Sequence, residues 1–259
     1  MSDLPSFARP PVAEVALGAQ LAHPWISGPA LGGLWDELRS AYPNHASQPP
    51  LQPIDERFDP GLVMHLQFGT PGVREVLTSA DGASLVQIQA DRVAYNWRKI
   101  GAGDDYPRYD TVISPFEDLL ERVFARCPTP SERTVTWVEV IYVNHVATAP
   151  QEDAHRFPER ILSGLATQPT LKSLLVSEDF SLTRRFLFPN NAGRLYIEAS
   201  SAIGATAGQK IMLLTLTARV SVTAVRSTRE ALDLGHDAIV RTFADITSPE
   251  YQEEWGRER

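Results

Sequence analysis

The chain has a single cysteine, Cys127, so an internal disulfide and any structural zinc site built from cysteines are excluded. No uncharged apolar run reaches the roughly 18 residues that a membrane-spanning helix needs. The opening residues lack the basic stretch and apolar core of a secretory signal. Neither a membrane nor export is expected, and the cytoplasm is the expected location. Positive charge is scarce: 24 Lys and Arg stand against 32 Asp and Glu, a net charge of -8, which argues against nonspecific binding to duplex nucleic acid or to anionic lipid. Motifs of strong mechanical meaning are missing as well. There is no GxGxxG after a strand, no GxxxxGK[ST], no HExxH, no GxSxG and no EF-hand loop. The glycine clusters at 32–33, 101–103 and 204–208 lack a strand-loop-helix context and read as turns. Catalytic residues therefore stay unassigned, and no cofactor is expected.

What is present is a chain that folds. Apolar residues at 43% and charged residues at 22% are the proportions of an ordinary globular protein, and 259 residues suit one large domain or two modules. A strand at 12–21 precedes a helix at 29–42, whose Leu31, Leu34, Trp35, Leu38 and Tyr42 recur at helical spacing. Pro43, Pro49, Pro50, Pro53 and Pro60 make 42–60 a long loop over the surface or along a groove. Alternation predicts strands at 62–68, 84–89 and 93–99. Ser114-Pro115-Phe116-Glu117 opens a helix with Phe116, Leu119, Leu120, Val123 and Phe124 on one stripe. Residues 128–133 are polar and turn-prone, a candidate boundary.

The same order of elements then recurs. A long strand at 134–146, apolar on both faces, reads as central. A short helix within 154–167, strands at 180–188, 194–203 and 210–224, and a helix at 228–243 follow, and Ser248-Pro249-Glu250 opens a last short helix. The expected fold is α+β, with duplicated strand-helix-meander-helix modules at 1–130 and 131–259 whose antiparallel sheets are covered by helices and share a core. The competing architecture is one curved sheet gripping a long helix, with a cavity between them.

Several polar residues admit either a functional role or an ordinary packing role. His145 shares a strand face with Glu139 and Ile141, while Asn144 points the other way. Asp153 and His155, in the following loop, would complete a donor set for a hard metal or a general base, but no spacing fixes the four together and no metal site is assigned. His236 lies along the apolar stripe of its helix and reads as a buried, hydrogen-bonded residue. His65 reads as exposed or partner-facing, and His23 and His45 sit in loops. The densest aromatic and cationic run is Tyr95-Asn96-Trp97-Arg98-Lys99 with Tyr106-Pro107-Arg108-Tyr109. Such interleaving serves stacking on single-stranded nucleic acid, anchoring of a protein partner, or ordinary packing of sheet against helix with snorkelled arginines. Asp91, Asp104, Asp105 and Asp110 compete with phosphate for the same cations, so nucleic acid is the less expected ligand. Trp97, Arg98, Tyr106, Arg108 and Tyr109 are the candidate recognition surface.

Several segments together carry a resemblance: the opening Pro10-Pro11-Val12-Ala13-Glu14-Val15 with Gly18 and Gln20, Val86 through Arg98 (VQIQADRVAYNWR), Tyr106-Pro107-Arg108-Tyr109, Tyr142-Val143-Asn144, Phe243-Ala244-Asp245-Ile246-Thr247 and Trp255-Gly256. In this order the chain resembles a sporadically distributed bacterial family of proteins of similar length, described by sequence alone. The resemblance implies a bacterial, cytoplasmic protein and leaves function open. Two functional classes follow from the residues. One is a non-enzymatic binding or accessory protein that meets another protein through the recognition surface. The other is a small-molecule binder or enzyme with a pocket between sheet and helix, for which His145, Asn144, Glu139, Arg184 and Arg185 are candidates beside the aromatic run. A homodimer through the alternating strand at 212–217 is the expected assembly, since an apolar strand at a sheet edge invites a second chain.

Overall fold

The computed structural model describes residues 4–24, 28–56, 72–101, 103, 105–127, 129–147, 157–165, 179–204 and 210–258. The predicted strand at 62–68, His65, Asp153 and His155 lie outside these residues. In chain order the elements are β1 (Val12–Leu21), α1 (Gly28–Leu38), β2 (Asn44–Gln48), β3 (Arg74–Thr78), β4 (Ser84–Gln89), β5 (Arg92–Arg98), α2 (Tyr109–Phe124), β6 (Val135–Ala147), α3 (Phe157–Ile161), β7 (Ser181–Leu187), β8 (Gly193–Ile203), β9 (Lys210–Ser221), α4 (Thr228–Ile246) and α5 (Pro249–Glu254). The described strands form one antiparallel sheet in the order β2-β3-β4-β5-β1-β6-β9-β8-β7. Outward from the β1–β6 pair, β5, β4 and β3 follow on one side and β9, β8 and β7 on the other. The chain is thus an α+β protein in which a multi-stranded antiparallel sheet is packed by helices, and its strands before and after residue 130 belong to one sheet.

The period-2 pattern assigns the two faces. On the front, Val138, Val140 and Tyr142 of β6 and Leu214, Leu216 and Ala218 of β9 are buried together with Leu232, Ile239 and Phe243 of α4. The helix comes close because Gly235 faces the sheet: a Cβ there would stand 3.1 Å from Val140 Cγ2 and 3.3 Å from Ala218 Cβ. Helix α2 buries Val112, Ile113, Phe116, Leu120 and Val123 on the same face. It begins at Tyr109 rather than at Ser114, with Pro115 inside it. Burial of Tyr109, Val112 and Ile113 in the extra turn offsets the hydrogen bond that the proline cannot donate.

The back face is polar. Asn96 donates to Glu14 Oε1 (2.5 Å), Gln87 to Asn96 Oδ1 (2.8 Å) and Arg74 to Gln87 Oε1 (2.9 Å), a relay across adjoining strands. The proline-rich stretch is not all loop, since 44–48 pairs with β3 as a strand. Beyond it, residues 51–56 cross the back of the sheet. The Leu51 and Ile54 amides donate to the side chains of Gln89 (2.9 Å) and Gln20 (2.5 Å), which donate back to the same residues' carbonyls. With prolines at 49, 50 and 53 the segment has few amides to offer, and two are satisfied by glutamine side chains standing in for a neighbouring strand.

Strand β9 lies between β6 and β8 and is paired on both sides, so it cannot pair edge to edge with a second chain. Its Met212, Leu214 and Leu216 are apolar because they are core residues. The edges of the described sheet are β2 and β7. No described helix is long and apolar enough to cross a membrane.

Candidate ligand-binding cavity

Between the front of the sheet and the start of α2, α4 closes over a cavity of about 680 Å³. Its floor comes from β6, where alternation turns Tyr142 and Asn144 to the front, and from Val12 of β1. A bulge between Val12 and Glu14 breaks the alternation of β1, so Val12 faces the helices as Val15 does. One wall is the segment before β1. Phe7 bridges to Arg257, the Ala8 amide donates to the Gly256 carbonyl (2.9 Å), and the Phe7 ring meets Phe243 edge-on with centroids 5.5 Å apart. The opposite wall is α4, where Arg229, Asp233, His236 and Asp237 recur at helical spacing beside the apolar stripe.

Aromatic rings make up much of the lining. Trp97 packs behind Tyr106 with centroids 5.7 Å apart, and the Tyr106 and Tyr142 hydroxyls are 2.6 Å apart. Tyr109 stacks on His236 at 3.9 Å and donates its hydroxyl to Asp233 Oδ1 (3.0 Å). Arg229 donates to the same carboxylate (2.9 Å) and to Glu117 (3.2 Å). Burial raises the pKa of Tyr106, of Tyr109, where Asp233 adds to it, and of Tyr142, where the Tyr106 hydroxyl adds to it. All three phenols therefore stay protonated near neutral pH. Burial lowers the pKa of His236 against the opposing pull of Asp237, so its ring is neutral at pH 7. Asn144 is 2% exposed and donates from Nδ2 to the Leu214 carbonyl (3.1 Å). The lining is thus apolar and aromatic, with neutral donors and acceptors below and charged groups at the mouth.

The residues singled out from the sequence are not brought to one place. Tyr106, Arg108 and Tyr109 line the cavity, with Arg108 exposed at its mouth and at a left-handed φ of 73° just before α2. Trp97 stands behind Tyr106. Arg98 is on the back face, where it donates to the Gly82 carbonyl (3.1 Å). Among the candidate pocket residues, Asn144 lines the cavity. His145 is exposed on the back face, and Arg184 and Arg185 are exposed on β7. Glu139 is buried on the back, where Arg92 and Arg219 both donate to it. Arg92 reaches it across Gly18, where a Cβ would sit 3.9 Å from its Nε. Glu56, at the end of the crossing segment, completes this cluster by accepting from Arg194 (2.5 Å), Tyr196 (2.6 Å) and Arg219 (3.2 Å). Phe7, Arg229, Asp233 and Glu56 were not legible as site residues. The recurrence of charge at 229, 233 and 237 on the helix was the one available signal.

Among the described residues, no group of three or more His, Cys, Asp or Glu is placed to hold a metal ion. The sequence matches no protein-family model and no curated protein.

Proposed function

We propose that this protein binds a small organic molecule in the cavity between the sheet and helices α2 and α4. The observation that carries the reading is the cavity's size and lining. About 680 Å³ falls within the roughly 300–1,000 Å³ of small-molecule sites, which are mostly apolar with a few convergent polar groups. The resemblance to the sporadic bacterial family, with the cytoplasmic setting it implies, belongs to the same proposal. So does an internal duplication, supported by the matching sequence of strands outward from the β1–β6 pair. The test is a thermal-shift screen of a metabolite library on wild type and on Val240→Trp, since Val240 lines the cavity and is only partly buried. Ligands are expected to raise the melting temperature of wild type and to leave the filled variant unmoved; equal shifts in both would overturn the reading.

A second reading, recognition of another protein chain, is favoured by β7. This edge strand is exposed along most of its length, with Phe186 46% and Leu187 55% accessible. A free edge with exposed apolar side chains suits strand addition by a partner or by a second copy of the chain. Light scattering at micromolar concentration tests the homodimer, and a 28.6 kDa species alone would remove it.

A further inference from the structure

We infer that the ligand of this cavity is an uncharged molecule that presents a carbonyl oxygen to the Tyr106–Tyr142 hydroxyl pair from an apolar ring body. The inference rests on the small-molecule reading and deepens it. A proton count on the lining carries it, and the charges around the pair narrow the class.

A phenol hydroxyl is one donor and also an acceptor. The Tyr106 and Tyr142 oxygens stand 2.6 Å apart, so one proton lies between them and each oxygen has a partner. The pair holds two protons, however, and among the described residues neither hydroxyl meets a second acceptor. Whichever ring donates, one O–H is left over. Both rings line the cavity, Tyr142 is 5% exposed and Tyr106 is partly buried, so the spare O–H belongs to the cavity rather than to bulk solvent. The third phenol has no such surplus, because Tyr109 gives its proton to Asp233. A hydroxyl polarised by a neighbouring one donates more strongly, and its complement is an oxygen acceptor.

Charge decides between a carbonyl and a carboxylate. Arg229 bonds Asp233 and Glu117, Asp237 lies 3.5 Å from the His236 ring, and Arg108 and Asp110 are exposed at the mouth. The Tyr106 hydroxyl feels Arg108 and Asp110 with opposite signs, and Tyr142 feels Asp110. A carboxylate at the pair would lose its hydration without gaining a counterion, which is costly. A carbonyl loses less, and unlike an alcohol it brings no proton of its own into an aromatic surround. Phe7, Tyr109 and Phe243 supply rings against which an apolar body packs.

Three probes share a fused two-ring body and separate these effects: 1-tetralone, its hydrocarbon tetralin and the anion 1-naphthoate. They are titrated by calorimetry into the full chain at pH 7, as wild type and as Tyr106→Phe/Tyr142→Phe. The double substitution removes both hydroxyls and keeps both rings, and circular dichroism checks its fold. It should weaken tetralone about three- to tenfold, the span of one net hydrogen bond, and leave tetralin unchanged. Either single substitution leaves one hydroxyl with its proton, so most of the tetralone affinity should remain. In wild type the infrared carbonyl stretch of bound, isotope-labelled tetralone should fall below its value in hydrocarbon solvent, a measurement that needs no variant. Naphthoate should bind at least about tenfold more weakly than tetralone. Equal weakening of tetralone and tetralin, an unshifted carbonyl, tighter binding of naphthoate or no binding of tetralone would each overturn the carbonyl inference. Tetralin binding that Val240→Trp blocks would then leave the cavity reading standing. Probe binding that Val240→Trp does not change would overturn both.

Discussion

Removal of the Glu56 carboxylate tests how the proline-rich segment is held to the back of the sheet. The Glu56 side chain is 2% exposed and accepts from Arg194, Arg219 and Tyr196. Hydrogen bonds to charged groups contribute about 1.5–3 kcal/mol each when buried. Arg194 and Arg219 keep 21% and 34% of their side chains exposed, so solvent screens their share, and Arg219 retains Glu139. A net cost of about 2–3 kcal/mol for Glu56→Ala follows, carried by undocking of residues 51–56 rather than by global unfolding. That cost corresponds to roughly 30- to 150-fold faster amide exchange at Leu51 and Ile54 if exchange follows the open population. Hydrogen-exchange mass spectrometry reads those amides against the core amides of β6, which should stay protected. Unchanged exchange at Leu51 and Ile54 would refute the clamp.

The same carboxylate makes the segment sensitive to acid. Burial alone would raise the Glu56 pKa, but its hydrogen bonds to Tyr196, Arg194 and Arg219 and the Arg219 charge bring it below the ordinary value. A group with a depressed folded pKa contributes stability above its unfolded value, near about 4.3 for glutamate, and loses it as pH falls through the folded value. Leu51 and Ile54 exchange, corrected for intrinsic pH dependence, should therefore accelerate below about pH 4 in wild type and stay flat in Glu56→Gln; a matching acid dependence in both would assign it elsewhere. Gly235→Leu should destabilise by about 3 kcal/mol, the upper end of overpacking costs, seen as a lower urea midpoint at constant slope; no change would mean that α4 can move off Val140 and Ala218. Residues 1–130 alone should fail to fold cooperatively, because β1 loses its pairing with β6; a dispersed amide spectrum from this fragment would contradict the shared sheet. Arg98→Ala should cost only about 0.5–1.5 kcal/mol and leave the ligand-induced thermal shifts of wild type unchanged, since Arg98 lies on the face opposite the cavity; lost shifts would restore it to the site.

Much of the secondary structure was legible because it is written in local period. Strand β1 spans the predicted residues, β6 and α4 differ from prediction only at their ends, and each carries a periodicity that burial on one side imposes. The expected start of α2 missed because Ser-Pro is a local signal for a helix start, whereas Tyr109, Val112 and Ile113 join the helix to reach a core that lies far away in sequence. Strand β2 was hidden among prolines for a similar reason: its pairing with β3 is visible only once the sheet exists. Which strand lies at an edge could not be read from 212–217, since an apolar alternation looks the same on a central strand as on a free one. Asn144 and Glu139 show the division most clearly. Strand period alone put them on opposite faces of β6. What each face meets, a cavity closed by α4 or arginines from β5 and β9 together with the crossing segment, is decided by contacts between residues tens of positions apart, and only the folded chain makes them.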